Sequence, residues 1–216
     1  MIYNIQVPII ERKAINNEIV EVGFDLLNNE FAFKAGQYIK LELNLLYDDP
    51  KGNVREFNII SSPTSRKLSL AFKLSDSGFK RTLCKITKGT LVSIRGPFGN
   101  FILPTYDAEI KMVAHGIGIT PCLSIIRYAS EMRLGYKITL FYFNDGYELP
   151  YINELRMLEK INKRFKVDTS YSLKDADAFG LWYVSGARKN VRELLNILYK
   201  KGVRDSQFVV EEFTGY

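Results

Sequence analysis

Ala114-His115-Gly116-Ile117-Gly118-Ile119-Thr120-Pro121 is the stretch from which the architecture can be worked out. The apolar run 110–114 reads as a buried strand and residues 115–119 as a tight turn. Thr120 reads as the N-cap of a helix, with Pro121 at its first position. Glycine at 116 and 118 removes the side chains that would keep a pyrophosphate from the backbone. The amides of the following helix then offer the phosphates a positive end. A lone Gly-x-Gly-x-x-Pro also fits a purely structural turn. Its place between a strand and a helix is what favours a dinucleotide.

Downstream, the apolar runs 138–143, 165–169, 181–184 and 207–210 alternate mainly with helical stretches. That rhythm predicts a parallel sheet covered by helices. A helix over 188–200 carries Val191, Leu194, Leu195 and Leu198 on one face. It stops at Lys200-Lys201-Gly202, with cations in the last turn and glycine at the end. The link 172–180 is too short for a helix plus loops. Nine extended residues reach roughly 30 Å, so a plain crossing loop is expected where a covering helix has been trimmed. The second strand ends at Phe143-Asn144-Asp145, near where dinucleotide folds read the adenosine ribose. Asp145 can accept from a 2′-hydroxyl, which favours NADH, and it also suits a turn before Gly146. Arg188 and Lys189, later in the chain, could restore a site for a 2′-phosphate.

Upstream, residues 19–26 and 38–43 alternate apolar and polar as half-buried strands do. Strand-like runs follow at 57–61, 67–74 and 90–95. Turns fall at Asp48-Asp49-Pro50-Lys51-Gly52-Asn53 and Gly96-Pro97-Phe98-Gly99-Asn100, and one short helix is expected over 79–88. Short strands with one capping helix predict an antiparallel barrel. The rhythm changes after Leu103-Pro104-Thr105. Two domains are therefore expected: an antiparallel β-barrel over 1–104, then an α/β domain with a parallel sheet over 109–216.

The 216 residues are 46% hydrophobic and 25% charged, the balance of a globular protein with a proper core. No apolar run approaches the roughly 20 residues of a membrane-spanning helix. Met1-Ile2-Tyr3-Asn4-Ile5-Gln6-Val7-Pro8 lacks the basic-then-apolar layout of a signal peptide, so a cytoplasmic location is expected. Cys84 and Cys122 are the two cysteines and form no cluster, which argues against zinc, a disulfide framework or a plant-type iron–sulfur cluster. Cys122 reads as a small buried hydrophobe. The net charge of +6 allows an acidic electron carrier or nucleic acid as a partner. Its lysines and arginines are scattered, which argues against nucleic acid.

Arg55-Glu56-Phe57-Asn58-Ile59-Ile60-Ser61-Ser62-Pro63 sets an arginine beside a strand-borne aromatic and hydrogen-bonding side chains. An arginine fork suits phosphate and an aromatic face suits a stacked isoalloxazine. Alone, the stretch reads equally as an exposed arginine at a strand start. The order of pieces decides between them. Gly36-Gln37-Tyr38, Arg55-x-Phe57-Asn58-x-x-Ser61, Asp76-Ser77-Gly78-Phe79-Lys80, Gly96-Pro97-Phe98-Gly99, Gly116-x-Gly118-x-x-Pro121, Ser185-Gly186 and Glu211-x-Phe213-x-Gly215-Tyr216 run in sequence. Together, over nearly the whole chain, they resemble the ferredoxin–NADP reductase-like family, in particular its short single-chain members.

The resemblance implies a six-stranded flavin barrel followed by a nicotinamide-binding domain, with FAD bound at their junction and NADH or NADPH as co-substrate. In the family's Arg-x-Tyr-Ser motif the arginine contacts flavin phosphates, the tyrosine packs on the ring and the serine bonds near N5. These roles fall on Arg55, Phe57 and Asn58, with Ser61 and Ser62 following in the same stretch. Phe57 lacks the hydroxyl and Asn58 has a different reach. Gly78, Phe79 and Lys80 resemble the helix start that takes the FAD pyrophosphate. Gly116, Gly118, Thr120, Pro121, Asn144 and Asp145 fall to the nicotinamide dinucleotide. Ser185 and Gly186 would lie beside the nicotinamide, with Ala187 where the family has proline. Glu211 to Tyr216 resembles a tail that folds back on the flavin. Asn58, Ser185 and Glu211 are the implied catalytic residues. His115, the single histidine, is expected to be a spectator, because hydride transfer to flavin needs no base in its turn.

The implied activity is hydride transfer from NAD(P)H to bound FAD, then electron release to a separate acceptor such as an acidic ferredoxin or flavodoxin. Three alternatives stand beside it: a free flavin reductase, an electron-transfer subunit of a larger complex, and a non-enzymatic redox- or nucleotide-sensing module. No metal site is expected.

Overall fold

The computed structural model describes every residue except Asn28, Tyr147, Tyr171 and Thr214-Gly215-Tyr216. Its first half is built on strands β1 (Tyr3–Ala14), β2 (Ile19–Asp25), β3 (Tyr38–Glu42), β4 (Val54–Asn58), β5 (Lys67–Lys73) and β6 (Leu91–Phe98). They form one antiparallel sheet in the order β4-β3-β6-β1-β2-β5. A bridge between Ile59 and Leu70 brings the two edges together, so the sheet is a nearly closed barrel. Val7, Val22, Phe24, Ile39, Leu41, Phe72 and Ile94 fill its interior.

The long first strand was not read as a strand from the sequence. Residues 3–8 pair with β6, then the strand shifts register between Ile9 and Glu11 and pairs with β2. Pro8 sits where the partner changes, a place where a missing N–H is tolerated. Helix α1 (Gly78–Lys85) closes one end of the barrel with Phe79 and Leu83 fully buried. Ser77 caps it by accepting from the Lys80 N–H. The helix is shorter than the 79–88 expected.

The second half holds β7 (Glu109–His115), β8 (Lys137–Phe143), β9 (Phe165–Asp168), β10 (Leu181–Ala187) and β11 (Phe208–Phe213). All pair parallel, in the order β11-β10-β7-β8-β9. Helices α2 (Ile119–Glu131), α3 (Ile152–Ile161) and α4 (Arg188–Lys200) cover the sheet. α4 has the limits expected and buries Val191, Leu194 and Leu198, and Gly202 follows it at φ +90°. α2 is buried on nearly every side because it also meets the barrel: the Ser124 hydroxyl donates to the Ser61 carbonyl (2.7 Å) and Arg127 to that of Ile60 (2.7 Å).

Residues 172–180 cross the sheet without a helix, as their length requires. Side chains satisfy the backbone that a helix would have satisfied itself. Buried Lys111 donates to the Phe179 carbonyl (2.6 Å) and pairs with Asp177 (2.9 Å). Lys201 donates to the carbonyls of Lys174 and Ala176, and Gln207 to those of Ala178 and Gly180. Among the described residues, no helix is long and apolar enough to cross a membrane.

Candidate active site

A cleft of about 750 Å³ opens where barrel and parallel sheet meet. The β3–β4 connection, β4, the start of α1, Thr120 of α2 and the end of β11 form its walls. Asn58, at the end of β4 and 8% exposed, donates its amide to Glu211 Oε1 at 3.1 Å. This contact joins the barrel to the last strand of the other domain. Burial raises the Glu211 carboxyl above its ordinary range, and the Asn58 hydrogen bond only partly opposes the shift.

Ser185 is the register partner of Glu211 on the neighbouring strand β10. Its hydroxyl is buried and, among the described residues, meets no hydrogen-bond partner. The turn residue Gly118 packs on it: a Cβ there would meet the Ser185 carbonyl at 2.3 Å. Gly118 therefore makes room for the chain's own β10. Gly116 is more open, with φ +56° and only Asn144 Oδ1, at 3.5 Å, near its would-be Cβ.

Two capping assignments in the turn are corrected. Residues Gly116–Gly118 form a 3₁₀ turn and α2 starts at Ile119, so Thr120 is not the N-cap and Pro121 is the third helical residue. The Thr120 hydroxyl donates to the Ile117 carbonyl at 3.0 Å, and Pro121 lies in the first turn, where no N–H is needed. His115 is held at both ring nitrogens, by Asn190 at 2.6 Å and Asp145 at 3.1 Å. It ties β7, the loop after β8 and α4 together. The Asp145 carboxylate stays 90% exposed, and Asn144 donates to the Glu148 carbonyl.

At the barrel end, Arg55, Phe57, Asn58, Gly78 and Lys80 all line the cleft. Phe57 is 7% exposed and packs against Phe72 and Phe79. Phe79 itself lies in the barrel core, outside the cleft. Ser61 and Ser62 also lie outside it: Ser61 accepts from the Ser69 N–H, and the Ser62 hydroxyl pairs with Thr64. Tyr216 lies outside the described residues. Burial, with Lys51 and Arg55 nearby, pushes the Lys80 ammonium down to about 8.

Asp49 was read only as part of a turn. Its carboxylate reaches Arg55 at 2.5 Å and accepts from the Phe79 N–H at 2.9 Å, in the first turn of α1. The side chain is 2% exposed. Its Oδ1 also accepts from the Lys51 N–H at 3.0 Å, a bond within the turn, whereas Arg55 and Phe79 lie 6 and 30 residues away and leave no local mark in the sequence.

No family model matches the chain. It is 29% identical over 146 residues to the sulfhydrogenase 2 subunit gamma of Pyrococcus furiosus, covering 65% of this chain and 48% of that one. It is 31% identical over 165 residues to the ferredoxin reductase component of a Rhodococcus rhodochrous 3-ketosteroid-9-alpha-monooxygenase, covering 74% and 46%. The chain thus spans under half the length of either relative. A ferredoxin NADP+ reductase from Neisseria gonorrhoeae, solved with FAD and NADP, superposes with a TM-score of 0.79 at 18% identity. That match covers 97% of this chain and 98% of the other.

An antiparallel barrel followed by a five-stranded parallel sheet, with a cleft between them, defines the two-domain reductase fold. The chain has the ferredoxin–NADP reductase-like fold, and one of its relatives is named as a ferredoxin reductase component.

Proposed function

We propose that the protein is a flavin-dependent oxidoreductase in which NAD(P)H, with NADH favoured, reduces FAD held in the cleft and a separate acceptor collects the electrons. The observation that carries this reading is the succession Asn58–Glu211–Ser185–Gly118, which runs from the barrel cleft to the glycine turn. The cleft fits a flavin ring, because Tyr38, Phe57 and Phe213 give it apolar walls while Asn58 and Glu211 add hydrogen-bonding groups. Bound FAD supplies the hydride-accepting ring and the passage from two-electron to one-electron chemistry.

The chain's own part is to bind and to orient. In this reading residues 1–104 hold the flavin, with Arg55, Gly78 and Lys80 at its phosphates and Phe57 and Asn58 at its ring. Residues 109–216 hold the nicotinamide dinucleotide, with the open face of Gly116 at its pyrophosphate. Asn144 and Asp145 then meet its ribose, and Ser185 and Gly186 its nicotinamide. Glu211 fixes the direction of the Asn58 amide. The net charge of +6 suits an acidic ferredoxin or flavodoxin as acceptor.

A second reading, as the electron-transfer subunit of a larger assembly, is favoured by the relatives named as a subunit and a component. Purification under mild salt tests it, with a stoichiometric partner as the expected result. The primary reading is tested by the visible spectrum of the FAD-loaded protein during anaerobic additions of NADH and NADPH. NADH should bleach the flavin at lower concentration than NADPH. A spectrum unchanged by either overturns the proposal.

A further inference from the structure

The groups expected to receive a flavin phosphate are already engaged by the chain's own β3–β4 connection. Asp49 places one carboxylate oxygen on Arg55 and the other on the Phe79 N–H at the start of α1. Arg55 Nη1 also donates to the carbonyls of Lys51, Gly52 and Val54, each at 2.7–2.9 Å. Gly78, the first residue of α1, lies directly beneath this loop, and a Cβ there would meet the carbonyls of Asp48 and Tyr47 at 2.2 and 2.5 Å. One loop thus occupies the guanidinium fork, a first-turn amide and the glycine.

A carboxylate and a phosphate want the same donors and repel each other at the same place. We propose that Asp49 is a built-in competitor for the flavin phosphates: its carboxylate holds the Arg55 and Phe79 donors that a phosphate would use and must release them for the nucleotide to bind. The inference rests on the flavin reading above and adds to it a residue that sets the affinity for phosphorylated flavins. The Phe79 N–H holds the Asp49 carboxyl below its ordinary range, so the competitor is an anion at neutral pH. Lys80 lines the same cleft, and its ammonium donates to the Lys73 carbonyl at 2.8 Å.

Asp49→Asn keeps the shape and one acceptor and removes the charge. Titration of apo wild type and variant with FAD, FMN and riboflavin, followed by flavin fluorescence, separates the contributions. Asp49→Ser gives a second, smaller replacement, and thermal melts check that each variant is folded. The expected result is FAD and FMN binding tightened about tenfold in folded variants, the equivalent of roughly 1.4 kcal/mol, with riboflavin affinity unchanged. Unchanged or weakened FAD binding beside normal riboflavin binding overturns the proposal and makes Asp49 a strut for Arg55. Failure of wild type and variants to bind any of the three flavins overturns the flavin reading itself, and the proposal with it.

Discussion

The Asn58 amide donates to Glu211 across 3.1 Å, and through this bond the barrel meets the last strand of the parallel sheet. Burial raises the Glu211 carboxyl, so its ionised form is disfavoured in the folded protein. A carboxylate raised above its ordinary value of 4.5 costs stability once the pH exceeds the unfolded value, and the cost grows until the pH passes the folded one. Glu211→Gln keeps an acceptor for Asn58 and removes the titration. Urea unfolding across pH 4 to 8 should show the variant gaining on wild type as the pH rises. Parallel curves would remove the buried-carboxylate assignment.

Lys80 gives the opposite handle. With its ammonium at about 8, a phosphate beside it raises that value, so flavin nucleotide binding takes up a proton. FAD affinity should fall as the pH climbs through about 8, and Lys80→Met should flatten the profile. A Lys80→Met profile identical to wild type would place the phosphates elsewhere.

His115 and Asp145 separate structure from chemistry. His115→Asn should lower kcat less than tenfold, because loss of a general base typically costs roughly 10²–10⁴. Asp145→Ser removes the exposed carboxylate that would face a 2′-phosphate. It should shift the kcat/KM ratio toward NADPH by about tenfold, or roughly 1.4 kcal/mol. An unchanged ratio would take Asp145 out of the ribose site.

The two glycines of the turn should differ when replaced by alanine. At Gly118 the new methyl runs into the Ser185 backbone, an overpacking cost of about 1–3 kcal/mol or more. At Gly116 it meets only Asn144 Oδ1, at an ordinary contact distance of 3.5 Å, and the left-handed backbone supplies the resistance, at roughly 1–2 kcal/mol. Thermal melts should therefore rank Gly118→Ala as the less stable, and the reverse order would contradict the packing described.

Where the chain obeys one local rule, the sequence was legible. The spacing of Val191, Leu194 and Leu198 with Gly202 behind them marked α4, and simple reach forced the loop over 172–180. The motif order placed Arg55, Asn58 and Glu211 together, and all three line one cleft. Illegible parts depend on distant partners. β1 changes neighbour midway, at Pro8, so its pattern follows two sheet faces in turn. Gly118 answers to a carbonyl 67 residues on, Ser61 and Ser62 to local bonds off the cleft, and Asp49 to a helix whose end it caps from a turn. Each is a long-range or competing use of a residue type that the local pattern also explained.

The central claim is that nicotinamide and flavin meet at the junction marked by Asn58, Glu211 and Ser185. Anaerobic stopped-flow mixing of the FAD-loaded protein with NADH, and with NADH deuterated at the transferred position, tests it most directly. The account expects single-turnover bleaching of the flavin band, slowed by deuterium and by Glu211→Ala. Bleaching that is absent, or insensitive to both deuterium and Glu211, would contradict it.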